Sequence, residues 1–142
     1  MAVYHSTSES ETEAIGEAFA RDLPGGTVVA MYGGLGAGKT AFVRGMARGM
    51  GLRCRVSSPT FTIVNEYLGA RELIHFDMYR LRSADELFDI GWEDYLARGA
   101  VLLVEWPDRA GDLLPPDAWH VGLVPGPAED GRTVRFCKGV AA

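Results

Sequence analysis

The sequence predicts a three-layer α/β domain built around a mixed, mostly parallel β-sheet, and three observations support this. An apolar strand at residues 28–32 runs into a glycine-rich segment and then into a helix. A second apolar run, residues 100–104, is typical of a parallel strand buried on both faces. Paired strand patterns at residues 62–77 and 119–137 predict two antiparallel hairpins, which make the sheet mixed.

Size and composition indicate one globular domain spanning residues 1–142. The 142-residue chain is 47% hydrophobic and 23% charged, which is ordinary for a soluble protein. No apolar run approaches the ~20 residues that cross a bilayer, and the N-terminus is polar and acidic, so we expect a cytoplasmic protein without membrane association. The net charge of −5 disfavours independent binding to nucleic acid. Cys54 and Cys137 are expected to be free thiols.

The glycine-rich segment matches the phosphate-binding pattern G-x-x-x-x-G-K-[ST] at every fixed position. Glycines let backbone N–H groups approach phosphate oxygens, and the N-terminus of the following helix adds its own N–H groups. Lys39 is expected to reach the β- and γ-phosphates and the Thr40 hydroxyl to bind Mg²⁺. The predicted nucleotide-binding residues are Gly33, Gly34, Leu35, Gly36, Ala37, Gly38, Lys39, Thr40 and Ala41.

The elements around the loop follow from periodicity and from glycine and proline stops. Residues 3–5 predict a short strand, and Ser10-x-x-Glu13 resembles a capping box at the start of a helix. Pro24 and the two glycines after it end that helix. The helix after the loop has an inward apolar stripe, which comprises Phe42, Val43, Met46, Ala47 and Met50.

Three polar positions in the rest of the chain are candidates for the chemistry. Thr60 lies in the predicted loop 56–61, where a hydroxyl can sense a γ-phosphate, although the sequence alone favours an ordinary turn. Asp77 ends the second strand of the first hairpin, on the face opposite Ile74 and Phe76. Glu105 ends the buried strand, where phosphate-loop proteins place the carboxylate that holds Mg²⁺ or activates water.

A helical region is predicted to begin at Ser83-x-x-Glu86. Gly91 interrupts it, and residues 92–96 continue it with apolar side chains at helical spacing.

Four stretches together resemble the TsaE (YjeE) family, the small ATPases of bacterial tRNA threonylcarbamoyladenosine synthesis. They are residues 32–40, 58–62, 75–81 and 104–107, in the family's order and over nearly the whole chain. The resemblance implies ATP and Mg²⁺ as cofactors and a single ATPase domain of the P-loop NTPase type.

The resemblance also implies a role for individual residues. Thr40 and Glu105 would lie on Mg²⁺, with Asp77 as a second acidic group near the metal. Thr60 would belong to a switch-like loop near the γ-phosphate. Two further residues would border the nucleotide, and these are Trp106 beside it and Glu9 near the base.

The family acts as an accessory ATPase that joins the TsaD and TsaB proteins and keeps their cycle turning over, so tRNA would be met only through the complex. The acidic charge of the chain fits this indirect role. Gly34 stands where the family usually has Asp, and this change removes a carboxylate close to the phosphates. Glycine at this position is expected to leave phosphate binding intact and to affect the rate of ATP hydrolysis.

The expected reaction is attack of water on the γ-phosphoryl group, with loop amides, Lys39 and Mg²⁺ stabilising the charge. Lys39, Thr60, Asp77 and Glu105 are the catalytic candidates, and which carboxylate positions water stays open. The main alternative is a small-molecule kinase, with Arg80 and Arg82 as nominees for its lid. A GTP-binding switch is disfavoured because the chain has no N-K-x-D motif. A nucleotide-binding module without useful turnover is the remaining alternative.

Overall fold

A computed structural model describes residues 2–34, 37–53, 64–77, 91–105, 114–127 and 130–139, with the backbone alone at Asp77. These residues form seven strands and three helices. The strands are β1 (Ala2–Ser6), β2 (Val28–Tyr32), β3 (Val64–Tyr67), β4 (Leu73–Asp77), β5 (Val101–Glu105), β6 (Trp119–Pro125) and β7 (Arg132–Lys138). The helices are α1 (Glu9–Arg21), α2 (Lys39–Gly49) and α3 (Trp92–Ala97).

The strands form one seven-stranded sheet in the order β1-β7-β6-β2-β5-β4-β3. The central strands β6, β2, β5 and β4 run parallel to one another. Antiparallel pairs lie at both edges, where β3 joins β4 and where β7 joins β6 and β1. The predicted mixed, mostly parallel sheet with two hairpins is therefore confirmed. β2 lies between β5 and β6, so the glycine-rich segment leaves the sheet at its parallel centre.

Apolar side chains cover both faces of the sheet, because successive residues of a strand point to opposite sides. On one face Met31 and Leu103 pack under α1 and α2, together with Phe42 of α2. On the other face Leu102 packs with Trp92 of α3. The predicted three-layer arrangement is therefore confirmed. No helix of the described residues is long and apolar enough to cross a membrane.

Helices α1 and α2 approach each other so closely that glycine is required at their contact. A Cβ atom added to Gly45 would lie 2.0 Å from the carbonyl oxygen of Glu13. Gly49 meets Glu17 in the same way, with 2.3 Å to its carbonyl oxygen. Around these glycines the Arg48 guanidinium donates to the Glu17 carboxylate at 2.9 Å. The contact ties α1 to the helix that begins at the loop.

The capping box predicted at Ser10 is wrong by two residues. Ser8 is the N-cap of α1, and its hydroxyl accepts the N–H of Glu11 at 3.1 Å. The carboxylate of Glu11 accepts the N–H of Thr7 at 3.2 Å. Ser8-x-x-Glu11 has the same spacing as Ser10-x-x-Glu13, so the pattern alone did not separate them. The predicted stop before Pro24 is confirmed, since α1 ends at Arg21.

The stripe predicted to face inward from α2 is buried as expected. Several other predictions fall on residues outside those that the structure describes. These are the loop 56–61 with Thr60, the helical region starting at Ser83, the thiol of Cys54 and the lid nominees Arg80 and Arg82.

Candidate functional site

Gly33 and Gly38, at the two described ends of the glycine-rich loop, occupy positions where any other residue would be strained. A Cβ atom on Gly33 would lie 2.9 Å from the carbonyl oxygen of Leu123 in β6. Gly38 has φ +93°, in the left-handed region that L side chains rarely adopt, and it is the N-cap of α2. No side chain of the described residues caps this helix, so the first N–H groups of α2 face the loop as donors for an anion.

Lys39, the first residue of α2, reaches back to Glu105 at the end of β5. Its Nζ lies 3.5 Å from the Glu105 Oε1 atom. Glu105 is only 4% exposed, and it pairs with Met31 of β2 in the parallel register. The structure thus brings two predicted catalytic residues together beside the loop.

Glu105 has a second buried partner that the sequence analysis did not single out. The Nε2 atom of His75 in β4 lies 3.1 Å from the Glu105 Oε2 atom. Burial alone would raise the pKa of the Glu105 carboxyl, but the contacts with His75 and Lys39 outweigh burial and lower this pKa. Glu105 is therefore an ionised carboxylate at neutral pH.

Asp77 lies in register with Glu105 across the parallel pair β4–β5, so the two backbones are neighbours at the carboxyl ends of these strands. His75 is in register with Leu103, two residues before Glu105 in β5, so its side chain lies on the same face of the sheet as that of Glu105. The alternation along β4, inside a stretch that carries the family resemblance, was the sequence signal that could have found His75.

Other predicted site residues lie apart from this cluster or outside the described part of the chain. Thr40 is exposed in the first turn of α2, next to Lys39. Glu9 is exposed at the first position of α1. Ala37 and Ala41 are buried. Leu35, Gly36, Thr60 and Trp106 lie outside the described residues.

Gly34, the position that departs from the family pattern, is exposed. No atom of the described residues lies within 4 Å of where its Cβ would be. Packing among these residues therefore does not require glycine at position 34.

The available donors suit a magnesium ion. Mg²⁺ prefers oxygen ligands and usually takes one or two protein groups, with phosphates and water completing its shell. The Thr40 hydroxyl and the Glu105 carboxylate are oxygen donors of this kind. No group of three or more His, Cys, Asp or Glu side chains in the described ranges forms a metal cluster. The site thus fits a metal that arrives with a nucleotide better than a metal held by protein alone.

Arg132, at the start of β7, lies against the loop on the side away from Glu105. Its Nε, Cγ and Cδ atoms are 3.2–3.4 Å from the position a Cβ would take on Gly38. Its Nη1 donates to the carbonyl oxygen of Gly131 at 2.6 Å. The sequence carried no signal for this contact, because it depends on the order of strands in the sheet.

Comparisons with known proteins agree on one family. A family model described as "Threonylcarbamoyl adenosine biosynthesis protein TsaE" matches residues 6–134. Two relatives carry the name "tRNA threonylcarbamoyladenosine biosynthesis protein TsaE". The relative from Treponema pallidum is 41% identical over 110 residues, covering 78% of this chain and 82% of the relative. The relative from Bacillus subtilis is 37% identical over 134 residues, covering 94% and 83%.

The solved structures give the same picture of the fold. The crystal structure of Bacillus subtilis YdiB superposes with a TM-score of 0.79 and 31% sequence identity. The match covers 98% of this chain and 86% of that chain.

Proposed function

Because the chain belongs to the TsaE family, whose members take part in tRNA threonylcarbamoyladenosine biosynthesis, we propose that it is an accessory ATPase of that pathway. It would bind ATP with Mg²⁺ and hydrolyse the γ-phosphoryl group with Lys39, Thr60, Asp77 and Glu105. The observation that carries the proposal is the contact of Lys39 with a buried, ionised carboxylate directly beside the glycine-rich loop. A phosphate-loop NTPase needs these two charges together.

In this proposal Lys39 can pair with either of two anionic groups, the Glu105 carboxylate or the phosphates of a bound nucleotide. In the structure it lies 3.5 Å from Glu105, and a bound triphosphate would offer it the β- and γ-oxygens instead. When bound, Mg²⁺ neutralises the charge that develops on the transferred group. Thr40 and Glu105 would hold the ion, so Glu105 gains a cation as Lys39 turns to the phosphates. Each of the two side chains would thereby keep an oppositely charged partner.

The same proposal assigns the water-positioning step to the carboxyl ends of β4 and β5, where Asp77 and Glu105 lie. Glu105 is ionised and can accept a hydrogen bond from water. Asp77 is its neighbour in register and is the other candidate. Thr60 and Trp106 are proposed on the family resemblance to border the γ-phosphate and the nucleotide.

Sheet order supports one direction for the bound nucleotide in this proposal. β5, with Glu105, flanks β2 on one side, whereas β6, β7 and β1 follow on the other. The γ-phosphate belongs at the Glu105 side, because the metal and Lys39 act there. The nucleoside end would therefore point toward Arg132 of β7 and toward Glu9, which follows β1 in the chain.

We expect Arg132→Ala to weaken ATP binding about tenfold, the loss that follows from one contact worth ~1.4 kcal/mol. Arg21→Ala is the control, since it removes the same charge from an exposed residue at the end of α1 opposite to the end that carries Glu9. Titration calorimetry with ATP measures both affinities. Equal affinities in the two variants would contradict this orientation.

The proposal extends to partners and location. We propose TsaD and TsaB as the proteins that the chain joins, with tRNA met only through that complex in the cytoplasm, and residues 1–142 as one ATPase domain. The net charge of −5 supports an indirect role with RNA, because direct contact with phosphates calls for a basic face.

ATP hydrolysis by the purified protein tests the proposal, first alone and then with purified TsaD and TsaB. We expect low activity alone, a rise with the partners, and loss of both in Lys39→Ala. Nucleotide binding with no effect of the partners would overturn the accessory role. Release of ADP only when a metabolite is added would favour the small-molecule kinase.

A further inference from the structure

His75 is a buried polar side chain whose surroundings are mostly apolar. It is 2% exposed, and its partner in the register of β4 and β5 is the fully buried Leu103. Neither of its ring nitrogens meets hydrogen-bond geometry with a described residue. Burying an imidazole without partners is unfavourable, and an aliphatic side chain would fill the same space at no such cost. The position therefore calls for a reason other than packing.

The polar contact of His75 is Glu105, and it differs from the contact made by Lys39. His75 Nε2 lies 3.1 Å from Oε2, whereas Lys39 Nζ lies 3.5 Å from Oε1. Each carboxylate oxygen thus has its own partner. Under the proposed function Lys39 turns to the phosphates, and His75, fixed in a strand, stays in place.

We propose that His75 is a positioning residue that holds Glu105 in one orientation while Lys39 serves the phosphates. The inference depends on the proposed function, because it gives His75 a role only in a site that binds Mg²⁺ and nucleotide. With the proton on Nε2, the His75 ring attracts Oε2 across this 3.1 Å contact and leaves Oε1 directed toward Lys39 and the loop. Groups that orient a metal-binding side chain in this way commonly change metal affinity or activity 10–100-fold when they are replaced.

Two replacements separate positioning from packing. His75→Leu fills the space without a donor, and His75→Gln keeps an N–H donor near the Nε2 position. His120→Gln is the control, because His120 is the other buried histidine of the described residues and contacts Tyr32 Oη at 2.9 Å. Thermal denaturation checks that each variant is folded.

The readout is the affinity for ADP, measured by calorimetry with Mg²⁺ and with EDTA, together with the Mg²⁺ concentration that half-saturates hydrolysis. We expect His75→Leu to keep its affinity in EDTA and to need 10–100-fold more Mg²⁺, with His75→Gln and His120→Gln close to wild type. Unchanged Mg²⁺ dependence in His75→Leu would overturn the inference. Equal losses in the Leu and Gln variants would overturn it as well, because the donor would then be irrelevant. A wild-type protein whose ADP binding ignores Mg²⁺ would instead refute the proposed function on which the inference depends.

Discussion

Glu105→Gln is expected to reduce partner-stimulated ATP hydrolysis by roughly a hundredfold or more, because a metal-held charge is worth several kcal/mol in the transition state. The amide keeps the size of the side chain and removes its negative charge. Lys39 and His75 then lose their ionic partner, and Mg²⁺ loses an anionic ligand. The rate of phosphate release at saturating ATP and Mg²⁺ measures the effect.

The binding of nucleotide without metal separates this loss from a damaged loop. Glu105→Gln should bind ATP in EDTA at least as tightly as the wild type, because Lys39 no longer has the carboxylate as a competing partner. Glu66→Gln is a suitable control, since Glu66 lies on the edge strand β3 and is exposed. Hydrolysis by Glu105→Gln at the wild-type rate would remove Glu105 from the proposed mechanism.

Gly45→Ala is expected to destabilise the fold by about 1–2 kcal/mol, despite a gain in helix propensity. Alanine is favoured over glycine within a helix by roughly 0.5–1 kcal/mol. Against this, the new methyl group would lie 2.0 Å from the Glu13 carbonyl oxygen, which belongs to backbone and cannot move alone. Overpacking of this kind costs typically 1–3 kcal/mol, occasionally more. The clash therefore outweighs the propensity, and the midpoint of chemical unfolding should fall.

Gly122→Ala is the matched comparison for this substitution. No atom of the described residues lies within 4 Å of the Cβ that Gly122 would gain, and the residue lies within strand β6. A methyl group there should leave stability unchanged or raise it slightly. Urea unfolding of both variants gives the comparison, and a Gly45→Ala protein as stable as wild type would contradict the close contact of α1 and α2.

Local sequence patterns were sufficient to predict the fold class and the glycine-rich loop. The strand before Gly33, the helix after Gly38 and the buried strand ending at Glu105 each follow from residues close together in the chain. The fold class and both hairpins were therefore accessible from the sequence. The cap of α1 was misplaced because two Ser-x-x-Glu patterns overlap at Ser8 and Ser10.

The contacts between residues far apart in the chain could not be predicted from local sequence patterns. His75 and Glu105 meet because β4 pairs with β5, and Arg132 reaches Gly38 because β7 and β6 follow β2 in the sheet. The alternation along β4 places His75 on one face of its strand, but the partner in each contact depends on strand order, which the sequence patterns did not predict. The site residues that sequence reasoning missed are of this long-range kind.

The strand order also determines when the nucleotide site can form during synthesis on a ribosome. β2 emerges early, but its two neighbours are β5 and β6, whose residues are translated long afterwards. β1 stays unpaired for longer still, because its neighbour is β7, which is translated after β6. Such distant pairings slow folding, and the nascent chain carries an unpaired apolar strand in the interval. Nucleotide should therefore begin to protect the nascent chain from proteolysis only after β6 has left the exit tunnel.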